Sequence, residues 1–228
     1  MAPELVITQG LRRTRSTLEL WHRERWRVLI PWFAGSFTIA VLLLVAVWVV
    51  SLLVTPDDAR FTYFGVFPDE MSTVLARNGL VLALHAMACV AGFIAGSSLP
   101  LEAERYGPRW RAIHDHAGRL AMLFVSAATL FSLTTQALII GFGAAGIADR
   151  LDTSTALLLV CVLPHAIPEL VALFLPLAAW LLASRNEDWD HLLAATFVTV
   201  AIAVPILIVA AYIEVNVSGD VVRAVIGY

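Results

Sequence analysis

The chain has 228 residues, 60% of them hydrophobic and 14% charged, with a net charge of −3. A water-soluble domain is typically about 45–50% apolar and about 25% charged, so a single soluble core is excluded. The weak negative balance also excludes the basic face of a nucleic-acid binder. The leader, TQGLRRTRSTLELWHRERWR, comes first. Its pattern predicts an amphipathic helix on the inner membrane surface, with Leu11, Leu18, Trp21 and Trp26 in the headgroups and arginines on anionic lipid. The apolar run after it exceeds the roughly 7–15 residues of a cleavable signal core, so the first span is expected to remain as an anchor.

A membrane helix needs roughly 20 mostly apolar residues, and five such runs follow. They cover about Val28–Val54, Gly79–Leu99, Leu120–Ala148, Thr155–Ala183 and Leu192–Val215. The expected fold is all-α, a polytopic membrane helix bundle. Its parts are a cytoplasmic leader (1–27), a transmembrane domain (28–216) and a short extracytoplasmic tail (217–228). The aromatic segment FTYFGVFPDEMSTVLARNG, between the first two spans, fits either an interfacial helix or ordinary belt anchors. Every basic residue is arginine. Those at 12, 13, 15, 23, 25, 27, 105, 109, 111, 119 and 185 fall on one side, against Arg60, Arg77, Arg150 and Arg223 on the other. The positive-inside rule then places the N-terminus in the cytoplasm and, after five crossings, the C-terminus outside.

Within the spans, ionisable side chains cost about 2.5–3.5 kcal/mol each on insertion scales, so they turn inward and find partners. The fourth span contains LPHAIPEL. His165 and Glu169 are four apart and share one helical face. Pro164 and Pro168 lack N–H groups and free the carbonyls of Val160 and Pro164, and Pro176 frees that of Ala172; the span is expected to be kinked or broken near its middle. Such backbone survives only where protein or a wet cavity covers it. The motif fits a polar clasp between helices, a proton or ion relay, or a metal or catalytic site. His-x-x-x-Glu is not the zinc-protease spacing, so a metal held by His165 and Glu169 needs ligands from other spans, with His85 or Glu214 as candidates.

In the second span, His85 shares a stripe with Cys89, Gly92 and Gly96, and Gly92-x-x-x-Gly96 is a close-packing motif. Gln136 in the third span seeks interhelical hydrogen bonds. Glu214 closes the fifth span, either at the outer interface or folded inward. Cys89 and Cys161 read as small packing residues rather than a disulfide. GFGAAG (141–146) matches a nucleotide-loop pattern but sits in a membrane helix, where small-residue packing explains it. His114 and His116 are two apart and face different ways on a helix, which disfavours a metal tract.

The fourth-span motif VLPHAIPELVALFL resembles the hallmark of the stage II sporulation protein M family. LARNGLVLALHAMACVAGFIAG in the second span and AAYIEV in the fifth also fit that family, and the likeness covers about residues 70–216. Ala166 stands where the family has glycine, and TTQALIIG replaces its Asn-Gly pair. The resemblance implies a multi-span protein working inside a larger assembly. Relatives act beside peptidoglycan-cleaving partners, with ABC-type ATPases, or in maturation and export of circular bacteriocins. The leading expectation is a non-enzymatic subunit, a scaffold or translocation component, in contact with lipid, other membrane proteins or further copies of itself. No cofactor is expected on that reading. Two alternatives are a proton- or ion-coupled transporter using His165 and Glu169, and an intramembrane metalloenzyme processing or cyclising a peptide, which alone calls for a divalent metal.

Overall fold

A computed structural model describes residues 6–54, 70–98 and 108–227. The aromatic half of the segment between the first two spans, residues 61–69, lies outside them, and the rest of it from Met71 on is the start of a helix. Helix α1 is Val6–Arg23 and α2 is Arg25–Leu53. Helix α3, Met71–Phe93, continues through a π turn at Ile94–Ser98. Helix α4 is Pro108–Arg150 and α5 is Thr155–Asn186. A 3₁₀ turn at Trp189–His191 leads into α6, Leu192–Ile213. A second π turn, Glu214–Ser218, joins α6 to α7, Gly219–Ile226. The described residues contain no strand, and five helical stretches are long and apolar enough to cross a membrane. Exposed side chains such as Leu42, Leu53, Phe131 and Phe197 cover the outside. Water would not tolerate so much apolar surface; hydrocarbon does.

Helix α5 is the hub, packed on α2, α3 and α6. Its start is capped by Ser154, whose side chain accepts from the Leu157 amide at 3.2 Å. Its end is closed by Glu187 in the left-handed conformation, with the Asp188 amide returning to the Ala183 carbonyl at 2.9 Å. The prolines do not divide this span: helical backbone runs unbroken from Thr155 to Asn186 with Pro164, Pro168 and Pro176 inside it. Side chains of neighbouring helices donate to its carbonyls around Pro176. Ser36 Oγ reaches Val171 O, His85 Nδ1 reaches Leu173 O at 2.9 Å, and Cys89 Sγ reaches Pro176 O at 3.1 Å. These bonds fall beside Ala172, whose carbonyl Pro176 leaves free, and tie α2 and α3 to this stretch of α5.

Small residues set the interhelical distances. A Cβ on Gly92 would lie 2.8 Å from Leu192 Cδ1 and 2.9 Å from Trp180 Nε1; one on Gly96 would lie 2.3 Å from Trp189 Cγ. Gly141, first residue of GFGAAG, meets Val50 of α2 in the same way. Helix α4 is nonetheless peripheral: 6% of its apolar span is buried, against 28–39% for the others. In the leader, Trp21 packs edge-on against Trp32, ring centroids 5.2 Å apart, and beside His191 at 5.9 Å. Trp26 is exposed. Leu18 is half-buried, and the Leu11 side chain lies outside the described residues.

Two substitutions test this packing. Gly96→Ala should destabilise the bundle by about 1–3 kcal/mol through overpacking, whereas Gly79→Ala, with open space around it, should be neutral or stabilising by about 0.5–1 kcal/mol. Thermal unfolding in mild detergent reads both. His85→Leu removes one interhelical bond and should cost about 0.6–2 kcal/mol in the same assay.

Candidate functional site

Five crossings place the start of α3, the start of α5 and the end of α6 at the end of the bundle away from α1. The polar residues of the site collect in that distal half. Helix α5 presents His165 and Glu169 one turn apart, both on its inner side. Glu214 comes from the opposite chain direction, at the point where α6 gives way to its π turn. The wider turn brings Glu214 and Ser218 inward together, at 9% and 2% exposure. Single π turns inside α-helices frequently mark functional positions. Of the two sequence readings for Glu214, the inward one describes its position. Residues 217–227 carry the helix onward, and Val222 of α7 packs on Leu158 and Cys161.

A ring nitrogen of His165 and one carboxylate oxygen each from Glu169 and Glu214 lie within 4.8 Å of one another. Ser218 fixes the imidazole. Its hydroxyl donates to Ile213 O at 3.2 Å, and its oxygen stands 2.7 Å from His165 Nδ1. When the hydroxyl hydrogen points to Ile213 O, Nδ1–H is the donor in that contact and Nε2 keeps the lone pair. A serine that orients a histidine in this way is the outer-shell partner a metal-binding imidazole requires.

The carboxylates are less well supplied. Glu214 Oε2 is buried without a hydrogen-bond partner, and so is Asn78 Nδ2 on α3. Asn78 is 4% exposed and borders Glu169. An unsatisfied buried polar group costs about 1–3 kcal/mol, so the bare Glu214 oxygen needs an explanation, while the Asn78 side chain lies close enough to Glu169 to interact with it. Arg77, next in sequence to Asn78, is near enough for its charge to act on both glutamates. If both carboxylates are ionised at 4.8 Å or less, their repulsion is at least roughly 3.5 kcal/mol at an effective dielectric constant of about 20. A cation between them converts that repulsion into binding energy. Tetrahedral ligands about 2.1 Å from a metal lie about 3.4 Å apart, so small side-chain rotations close the remaining gap. The donor set, one imidazole and two carboxylates, suits zinc, manganese or iron.

The other sequence-selected residues stand apart from this cluster. His85 binds the Leu173 carbonyl and rests against Phe174. Gln136 Nε2 donates to Ser132 Oγ at 3.0 Å within α4. Pro164 and Pro168 flank His165 and Glu169 on the continuous α5. Gly92 and Gly96 hold the contact of α3 with the α5–α6 end. Both cysteines are free and buried. His114 and His116 fall in α4, but their side chains lie outside the described residues. Sequence reasoning did not single out Arg77, Asn78 or Ser218 for the site. Ser218 is four residues after Glu214, but the helix was expected to end before it.

No curated protein and no solved structure matches the chain. The family model of stage II sporulation protein M matches residues 119–219, a stretch that includes His165, Glu169, Glu214 and Ser218. With five helical stretches long and apolar enough to cross a membrane, the chain reads as a membrane protein whose third to fifth spans are similar to the stage II sporulation protein M family.

Proposed function

We propose that the chain is the catalytic membrane subunit of an envelope system that processes peptides, with a divalent metal held by His165, Glu169 and Glu214. The convergence of these three side chains from two helices carries this reading. A passive scaffold accounts for His85, Gln136 and the glycines, but not for a buried carboxylate oxygen left without a donor. The arginine distribution assigns the distal half to the outer leaflet, so the centre faces extracytoplasmic peptide.

Bound there, a metal supplies a polarised carbonyl and an acidified water at neutral pH. The chain's own groups do the rest. His165 would hold the metal through a ring nitrogen, with Ser218 fixing the imidazole's orientation. Glu169 would supply the second ligand from the same helical face and Glu214 the third. The unpartnered Oε2 of Glu214 would take the proton of an attacking water. Oxygen from that water joins the acyl carbon, the C–N bond breaks, and the proton passes to the departing amine. An amine from the peptide's own N-terminus in place of water gives cyclisation by the same steps. The surrounding hydrocarbon excludes bulk water, which strengthens each of these interactions.

Elemental analysis of the full chain, purified in mild detergent without chelator, tests the reading. Stoichiometric zinc, manganese or iron is expected. His165→Ala, Glu169→Gln and Glu214→Gln should each drop to background while the bundle stays folded, and His85→Leu should keep its metal. Ser218→Ala should weaken metal binding by about 10–100-fold, the usual loss for an outer-shell partner. A wild-type chain that neither carries nor takes up metal overturns the proposal. If that metal-free chain also loses proton-linked flux on Glu169→Gln, it is an ion-coupled transporter instead.

A further inference from the structure

Helix α4 joins the bundle along only one of its halves. Ala137, Ala144 and Ala148 are buried, and Gly141 closes on Val50 of α2. From Leu120 to Phe131 the helix stands off. Of the described side chains there, Val125 and Thr129 are half-buried and the rest are exposed. The separation leaves a cleft of about 500 Å³ between α4 and the end of α5, lined by Ser126, Trp180, Leu181, Ser184 and Arg185. Trp180 and Ser184 are four apart, as are Leu181 and Arg185, so α5 turns one face to the cleft. Two polar atoms on that face, Trp180 Nε1 and Ser184 Oγ, are buried with no hydrogen-bond partner. Trp180 is 4% exposed, and its Nε1 lies against Gly92 of α3, which has no side chain to accept from it. Arg185 is exposed at the mouth and, among the described residues, makes no ion pair.

We propose that this cleft holds one phospholipid of the inner leaflet, bound through its phosphodiester. An indole N–H and a guanidinium only donate, and a serine hydroxyl donates readily, so the lining calls for a ligand rich in acceptors. One guanidinium matches the single negative charge of a phosphodiester and takes two of its oxygens at once. The depths also match. Trp180 lies four residues, about 6 Å, deeper than Ser184, and the polar layer of a bilayer is about 5–7 Å thick on each side. Arg185 and Ser184 meet the phosphate. Trp180 forms the deep wall, at the level of the ester carbonyls, the acceptors its N–H lacks within the chain. The acyl chains follow Leu181, whose side chain is exposed. The arginine distribution assigns this end of the bundle to the inner leaflet. A soluble phosphate would satisfy Arg185 but leave the apolar wall uncovered. The lipid joins α4 to α5 where the two helices part. It lies toward the opposite end of α5 from His165 and does not rest on the metal reading.

The experiment uses delipidated, full-length protein in neutral detergent, with bound lipid counted by native mass spectrometry. Phosphatidylglycerol is compared with a diacylglycerol of the same chains, which keeps the esters and lacks the phosphate. One phosphatidylglycerol per chain should bind at least about tenfold more tightly than the diacylglycerol, the equivalent of one charge-assisted contact. Arg185→Gln should abolish that preference, and Arg185→Lys should restore part of it. Ser184→Ala and Trp180→Phe should each weaken binding by about 2–10-fold, the range for one neutral hydrogen bond. Arg23→Gln, an exposed arginine at the same end of the bundle, should change nothing. Equal binding of the two lipids, equal losses in Arg23→Gln and Arg185→Gln, or displacement by equimolar glycerol 3-phosphate each overturns the lipid site. The first two leave only a diffuse lipid annulus, and the third a site for soluble phosphate.

Discussion

Hydrocarbon offers no hydrogen bonds, and α5 is the element that this constraint strains most. Its three prolines withdraw donors from a helix that nonetheless runs without interruption. The rest of the bundle is fastened to that helix. Helix α2 sends Ser36 and helix α3 sends His85 and Cys89 to carbonyls near Pro176. Each of these contacts ties a neighbouring span to α5 at a defined height. The glycines of α3 then allow the approach that such contacts require.

The distal half adds a pair of carboxylates to that packing. Ser218 and His165 satisfy each other, but Glu214 Oε2 does not find a partner. A bundle selected only for stability would fill these positions with apolar residues of similar volume, which usually costs nothing. Retaining two acids and an imidazole at one depth makes sense if something binds among them.

Much of this was legible in the sequence because its signals are long or chemically costly. Five apolar runs announced five spans, and a histidine and glutamate four apart inside one of them announced a shared face. The glycine stripe at 92 and 96 announced close contact, and the geometry shows its partners to be Leu192, Trp180 and Trp189. What spacing did not reveal is which helix answers which. His85 and Glu214 were equivalent as candidate partners for Glu169, and only the three-dimensional arrangement separates them. His85 faces a carbonyl one turn beyond Glu169, while Glu214 is carried inward by a π turn that hydropathy does not register. The same turn hides Ser218, which hydropathy places in a tail. Of the kink or break that the prolines announced, the break does not occur, since the helix is continuous from Thr155 to Asn186.

The family match and the site divide along the chain in an informative way. Residues 119–219 contain His165, Glu169, Glu214 and Ser218, whereas Arg77 and Asn78 lie before them on α3. On the proposed function, the matched stretch supplies every ligand of the centre, and α3 supports it from outside that stretch by packing on α5 and α6. That joint is held by His85, Cys89 and the two glycines. Its bonds reach α5 at Leu173 and Pro176, on the turns that follow Glu169, so α3 fixes the height of α5 in the bundle without itself supplying a ligand.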